Sequence, residues 1–262
     1  MFGRLSIATF AYHDVTDRPA ETGFQRPAAV PYKMPVAAFR QHLDAIAAAP
    51  YRPALITDID LTRGGRYLLL SVDDGARSAL VAAEELSRRG WRAHFFITTG
   101  RLGSPGFLDA AAVRALHAAG HIVGSHSHTH PDIFRELSDA AMRAEWAESV
   151  ARLSEITGAP CVAASVPGGD MSDSVRRTAA EAGLRYLFTS DPTLTPRRKD
   201  GCWQLGRYCP KVGTDAQYIG RLARFEAWRG AMFVRRLKEI TRRALPGVYR
   251  AYVRYMTDEQ AG

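Results

Sequence analysis

Two adjacent carboxylates and two histidines four positions apart are the side chains of this sequence best suited to chemistry. Asp73 and Asp74 stand in LLLSVDDG, from Leu68 to Gly75. The apolar run reads as a buried strand, and Gly75 as the turn that leaves it. Carboxylates side by side at the end of a buried strand repel each other and lose hydration, so a bound cation or basic partners must compensate. Partners follow in GHIVGSHSHTHPD, from Gly120 to Asp132. The spacing of His126 and His130 puts both imidazoles on one side of a helical turn. An aspartate with two such histidines makes a facial set for a divalent metal with open positions for water and substrate. The other aspartate is then free for base chemistry.

The elements that must position these groups alternate along the chain. Strands are expected at Ile7–Tyr12, Leu68–Val72, Ala93–Thr98, Ile122–Ser125, Cys161–Ser165, Arg185–Thr189 and, more weakly, Trp203–Tyr208. Helices are expected from Pro35 with Phe39, Leu43 and Ile46 on one face, over Ala76–Arg89 and over Leu108–Ala119. Two more are expected after the N-caps Ser138 and Ser172, ended by Gly158 and Gly183. Such alternation implies a parallel sheet with right-handed crossovers. The candidate pieces all follow strand C-terminal ends, where barrels and open α/β sheets place their chemistry. The Pro-rich connection Arg18–Pro35 exceeds an ordinary loop and is expected over the site.

A chain of 262 residues with 46% hydrophobic and 24% charged content fits one enzyme-sized globular core. No apolar run is long enough for a membrane span, and the N-terminus lacks a signal-peptide pattern, so a cytoplasmic protein is expected. Cys161, Cys202 and Cys209 fit no zinc ribbon and read as reduced thiols. Between Tyr218 and Tyr255, nine Arg and one Lys face two Glu, a net of +8 that equals the charge of the whole chain. The basic character therefore belongs to the C-terminal stretch. Residues 1–215 read as the barrel and 216–262 as a basic amphipathic helical tail, with Leu222, Phe225, Phe233, Leu237 and Ile240 among its arginines and Pro246-Gly247 breaking it.

SVDDG resembles the first motif of the polysaccharide deacetylase family (the NodB-homology domain, carbohydrate esterase family four), T-F-D-D-G. GSHSHTHPD resembles its second, N-H-T-x-x-H-P-D, with Ser125 at the Asn and Ser127 at the Thr position. The resemblance runs from about Ile7 to Tyr208 and implies a distorted (β/α) barrel of about seven parallel strands. It also implies Asp74, His126 and His130 as ligands of a divalent metal and Asp73 as the base that deprotonates the attacking water. Zn²⁺ suits these ligands, and Co²⁺ or Ni²⁺ would fit them too. The third motif is matched by SVPGG, which implies the N–H of Gly168 as oxyanion donor. Three departures stand out. Ser165 replaces the Arg that orients the base in relatives, the fourth motif survives at most as Asp191, and no His follows His130 to protonate the leaving amine. His13, at the end of the first strand, is the candidate for that acid, with a water as competitor.

Plainer readings exist for each group. Asp73 and Asp74 would also suit a solvated helix start, and His126 and His130 could be ordinary core or surface histidines. Yet five of the eight histidines lie within His117–His130. His128 is expected to face away from the pair, and His94 and His121 to be satisfied polar groups in strands. Gly168-Gly169 could be a tight turn, and Asp170 a loop or capping residue. The tail could be a packing helix with a solvated basic face, or could lie on anionic lipid. No nucleic-acid motif accompanies its charge. The function expected is hydrolysis of N-acetyl groups from a sugar in a polysaccharide or lipid-linked glycan, as in exopolysaccharide or cell-surface glycan assembly. The alternatives are a silent glycan-binding or scaffolding relative and a C–N hydrolase of a small amide.

Overall fold

Strand periodicity decides what this protein can place in its interior. In the computed structural model, which describes residues 4–169, 171–233 and 246–257, the first strand β1 (Leu5–Tyr12) pairs in parallel with β4 (Gly65–Val72). Between them lie the short pair β2 (Asp14–Val15) and β3 (Lys33–Met34) and helix α1 (Val36–Ala47). The chain then alternates through α2 (Ala79–Ser87), β5 (His94–Ile97), α3 (Ala110–Ala118), β6 (Ile122–Ser125), α4 (Asp139–Thr157), β7 (Ala163–Ser165), α5 (Asp173–Glu181) and β8 (Tyr186–Phe188). An antiparallel β9 (Arg197–Lys199) leads into β10 (Cys202–Leu205), and α6 (Ala216–Ala223) follows. The sheet order is β1-β4-β5-β6-β7-β8-β10-β9, with seven strands parallel.

The sheet curls until its ends meet. Tyr208, just beyond β10, bridges Phe10 in parallel, and its N–H and C=O bond Thr9 and Ala11. Close approach inside the curl requires small residues. A Cβ on Gly124 would lie 2.5 Å from the Ala163 carbonyl and 2.7 Å from the Phe96 ring. Outward strand positions (Phe10, Leu68, Leu70, Phe95) pack against the helices in the larger apolar core. Inward positions (Ile7, Leu69, Phe96, Ala163, Phe188, Leu205) form a smaller one, plugged at its base by Ile56, Ile59 and Leu61. Two, four or six residues further along, the same inward ladder reaches the C-terminal rim at polar positions.

The expected caps are in place: Ser138 and Ser172 accept from Ala141 N–H and Val175 N–H, and Gly158 ends α4 at φ 68°. Beyond the barrel, α6 packs on α1, and Ile219, Leu222, Ala223 and Trp228 share the larger core. Leu237 and Ile240 lie outside the described residues, as does Asp170. Pro246 opens the helix Pro246–Thr257, because proline's fixed φ suits a first helical turn; the stretch before it, where the break was expected, lies outside the described residues. None of the helices among the described residues is long and apolar enough to cross a membrane.

His94 gives a measurable consequence. Its Nδ1 donates to the Leu70 carbonyl at 2.8 Å and its Nε2 accepts the Ile56 N–H at 3.0 Å, so the neutral ring is satisfied on both sides. Burial pushes it down to about 4, against the opposing pull of the Leu70 carbonyl. An unfolded histidine titrates near ~6.5, so between these values the native state binds fewer protons than the unfolded one. The contribution is therefore complete above pH ~6.5 and is lost as pH falls toward 4. In urea unfolding of chelator-treated protein, the stability lost by the parent between pH 7 and pH 5 should exceed that lost by His94→Gln by about 2 kcal/mol. Equal losses in the two proteins would refute the assignment.

Candidate active site and metal centre

At the rim, the inward ladder presents His13 after β1, Asp73 after β4, His126 after β6, Ser165 on β7 and Arg207 after β10. Asp73 is 1% exposed and lies at the centre. Arg207 Nη1 donates to its Oδ1 at 2.7 Å, and Nη2 to its Oδ2 at 2.8 Å. Ser165 Oγ also donates to Oδ2 at 2.8 Å. The guanidinium is fully committed, with Ser71 Oγ at 2.9 Å, Ser165 Oγ at 2.7 Å and Nε on the Thr189 carbonyl at 3.0 Å. Burial alone would raise the Asp73 carboxyl, but the charges of Arg207 and His126 outweigh it and hold the group below the usual carboxylate range.

Asp74 leaves the ladder. It adopts φ 73° and Gly75 φ 75°, a left-handed pair that turns the second carboxylate away from the first. A non-glycine residue held there is strained, and such strain collects at functional sites. Asp74 Oδ1 lies 3.2 Å from His126 Nε2 and 3.7 Å from His130 Nε2. Among the described residues these three form a cluster with ligand atoms within 4.8 Å of one another. The two histidines do not share a helical turn, as their spacing predicted. Ser127 and His130 are left-handed, at φ 63° and 60°, and the segment is a bent loop pinned by Ser127 Oγ accepting the His130 N–H at 3.0 Å. The loop wins because each bend places a side chain on the rim rather than along a helix face.

The donor set fits a divalent transition-metal ion. His126 Nδ1 lies 2.9 Å from the Ser165 carbonyl, which can only accept, so Nδ1 carries the hydrogen. In the neutral ring the Nε2 lone pair then faces the Asp74 carboxylate, and two acceptors at 3.2 Å need a positive charge between them. A proton fills this role at one extreme. Burial lowers the His126 affinity for it, but the Asp74 hydrogen bond and the two carboxylate charges raise it overall. A divalent cation fills the role at the other extreme, with the carbonyl as the outer partner that orients a ligating histidine.

His130 is arranged differently. Arg26 Nη2 donates to its Nδ1 at 2.7 Å while Nη1 pairs with Asp132 at 3.1 Å. Neutral His130 thus keeps its hydrogen on Nε2, and burial, with His126, presses it down to about 3 despite Asp74. Coordination through Nε2 requires the hydrogen to move to Nδ1 and the guanidinium to withdraw toward Asp132.

The remaining expected residues are also at the rim. His13 packs against Tyr32 in a tilted arrangement, with ring centroids 4.7 Å apart, and its Nδ1 is buried without a hydrogen-bond partner. Gly168, at φ 64°, lines the same cavity of about 660 Å³ together with His13, Asp73, Asp74, His126, His130 and Arg207. The Pro-rich connection covers it through Phe24, Arg26 and Tyr32. That segment is held by buried Asp14, which accepts from Ser78 Oγ at 2.6 Å and Thr22 Oγ1 at 3.0 Å and pairs with Lys33 at 3.5 Å. His128 turns outward to Thr99 Oγ1 at 3.0 Å. His94 is satisfied as expected, whereas buried His121 accepts the Ala93 N–H on Nδ1 and leaves Nε2 without a partner.

Arg207 was not legible as a site residue from motif spacing. Ser165 does stand where the resemblance expects an arginine, and the guanidinium arrives instead from the last inward strand. A signal was present, since Trp203, Leu205 and Arg207 share one face of the expected Trp203–Tyr208 strand.

Residues 60–187 match the family model described as polysaccharide deacetylase, a span that includes Asp73, Asp74, His126, His130 and Gly168 but neither His13 nor Arg207. Solved structures with the same fold include a polysaccharide deacetylase from Bacillus cereus (TM-score 0.70, 18% identity, covering 83% of this chain and 69% of that one). The Streptococcus pyogenes deacetylase PplD, in complex with acetate, is similar (TM-score 0.69, 17%, 85% and 99%). So is IcaB from Ammonifex degensii (TM-score 0.68, 18%, 85% and 98%). No curated protein sequence matches the chain.

Proposed function

We propose that this chain, whose residues 60–187 match the polysaccharide deacetylase model, deacetylates an N-acetylated sugar in a polysaccharide or lipid-linked glycan during cell-surface glycan or exopolysaccharide assembly. The carrying observation is one buried carboxylate gripped by a guanidinium beside a second one aimed at two histidines. Asp74, His126 and His130 would hold a divalent ion, Zn²⁺ in this reading. When bound, it would supply a polarised acetyl carbonyl and an acidified water.

Asp73, kept ionised by Arg207, takes the proton of the attacking water. Arg207 and Ser165 fix the orientation of that carboxylate. Gly168 offers its N–H to the oxyanion, and His13 returns a proton to the leaving amine. The silent glycan-binding alternative rested on two missing groups, and Arg207 stands in for one of them.

The test is acetate release from N-acetylglucosamine oligomers by protein stripped of metal and then reloaded with zinc, cobalt or nickel. Release only after reloading supports the reading. Stoichiometric metal without release from any N-acetylated oligomer would favour the binding role, and release from small amides alone would favour the other hydrolase. A second expectation concerns Arg26. Arg26→Met removes the donor that holds the His130 hydrogen on Nε2, so zinc affinity by calorimetry should rise on the order of tenfold. An unchanged or weaker affinity would show that Arg26 does not compete with the ion.

A further inference from the structure

Exposed large apolar side chains collect next to the residues that line the cavity. Among the described residues six are exposed: Val30, Leu80, Val212, Phe233, Val248 and Tyr255. Single exposures are ordinary, and a cluster is not. All but Leu80 lie within two positions of a cavity-lining residue: Val30 between Ala29 and Pro31, Val212 after Lys211, Phe233 after Ala231, Val248 before Tyr249 and Tyr255 before Met256. Backbone hydrogen bonds hold these segments together, from Val212 N–H to the Pro31 carbonyl at 2.8 Å and from Ala28 N–H to the Met256 carbonyl at 2.9 Å.

The helix Pro246–Thr257 has two faces. Tyr249, Val253, Met256 and Thr257 line the cavity, while Val248, Ala251 and Tyr255 form an outer stripe at three- and four-residue spacing. Its position is fixed beside the metal loop, with Thr257 Oγ1 donating to Asp132 at 3.0 Å and Arg250 pairing with Glu136 at 3.2 Å. The charge around the stripe is basic. Among the described residues Lys211, Arg229 and Arg254 are exposed there, and Arg250 is the one paired with Glu136.

We propose that this rim docks the cavity mouth onto an anionic phospholipid bilayer. The apolar side chains enter the interface and the arginines meet the lipid phosphates. The cavity then opens at the membrane surface, which selects a glycan carried on a lipid over one free in solution. The docking stands on the rim alone, and only the substrate class rests on the deacetylase reading.

The test is co-sedimentation of the full chain with phosphatidylcholine vesicles, with and without phosphatidylglycerol, at low and high salt. Binding to the anionic vesicles alone, weakened by salt, is expected. The paired change Val248→Ser and Tyr255→Ser leaves the charge untouched and should weaken binding at least tenfold, while Leu80→Ser, away from the rim, should not. Acetate release from short soluble oligomers is measured on the same samples. Charge-only adsorption, with the serine pair binding like the parent, would overturn the proposal. So would the absence of vesicle binding, including the case where light scattering shows a concentration-dependent dimer that buries the rim. Lost vesicle binding with intact acetate release removes the docking and leaves the deacetylase reading standing. Intact binding without acetate release does the reverse.

Discussion

Arg207→Gln is expected to cost about 3–5 kcal/mol of folding stability and nearly all turnover. Both partners of this ion pair are essentially out of water, at 1% side-chain exposure for Arg207 and 2% for Asp73. Removing the cation leaves a buried carboxylate with Ser165 as its one side-chain donor, and a carboxylate so placed tends to protonate rather than stay charged. A protonated Asp73 cannot act as a base. Arg207→Lys separates the two effects, because it keeps the charge but not the fork that meets both oxygens. Its melting temperature should fall less than that of the glutamine variant, while kcat falls by about 10²-fold or more. Thermal unfolding and steady-state acetate release read the two quantities on the same preparations. If Arg207→Gln melts and turns over like the parent, the guanidinium has no role in tuning the base.

The second large effect concerns the two carboxylates, whose roles should separate cleanly. Asp73→Asn should lower turnover by at least about 10³-fold yet retain one divalent ion per chain, since Asp73 is not among the three clustered ligand groups. Asp74→Ala should lose the ion and the activity together. Elemental analysis beside kinetics, on variants whose folding has been checked by melting, gives the answer. Parent-like turnover in Asp73→Asn would sink the base assignment. Full metal content in Asp74→Ala would sink the ligand assignment.

Much of the architecture follows from local pattern. Apolar runs of four to eight residues, each followed by a helical period, gave the seven parallel strands, and the caps at Ser138 and Ser172 sit where a hydroxyl can take an orphan N–H. The antiparallel β9 was not legible, because Arg197–Lys199 is exposed and carries no apolar signal. The site was legible as residue types but not as geometry. His126 and His130 come together through two left-handed residues, and a left-handed φ at Ser127 has no compositional signature as a glycine would. Two adjacent buried carboxylates did call for a cation, and that requirement was sound. Its answer lay in strand parity at the far end of the sheet, where Arg207 shares a face with Leu205.

The order in which these groups are made has a consequence of its own. Arg207 follows Asp73 by 134 residues, and the residue directly after it, Tyr208, closes the ring against β1. At ribosomal rates of roughly 5–20 residues per second, the carboxylates wait on the order of ten seconds for their counter-charge. During that interval the nascent chain has neither a neutralised base nor a sealed wall. Competence to act therefore arrives late in synthesis, in one step with closure of the barrel, and chains terminated before residue 207 would be born inert.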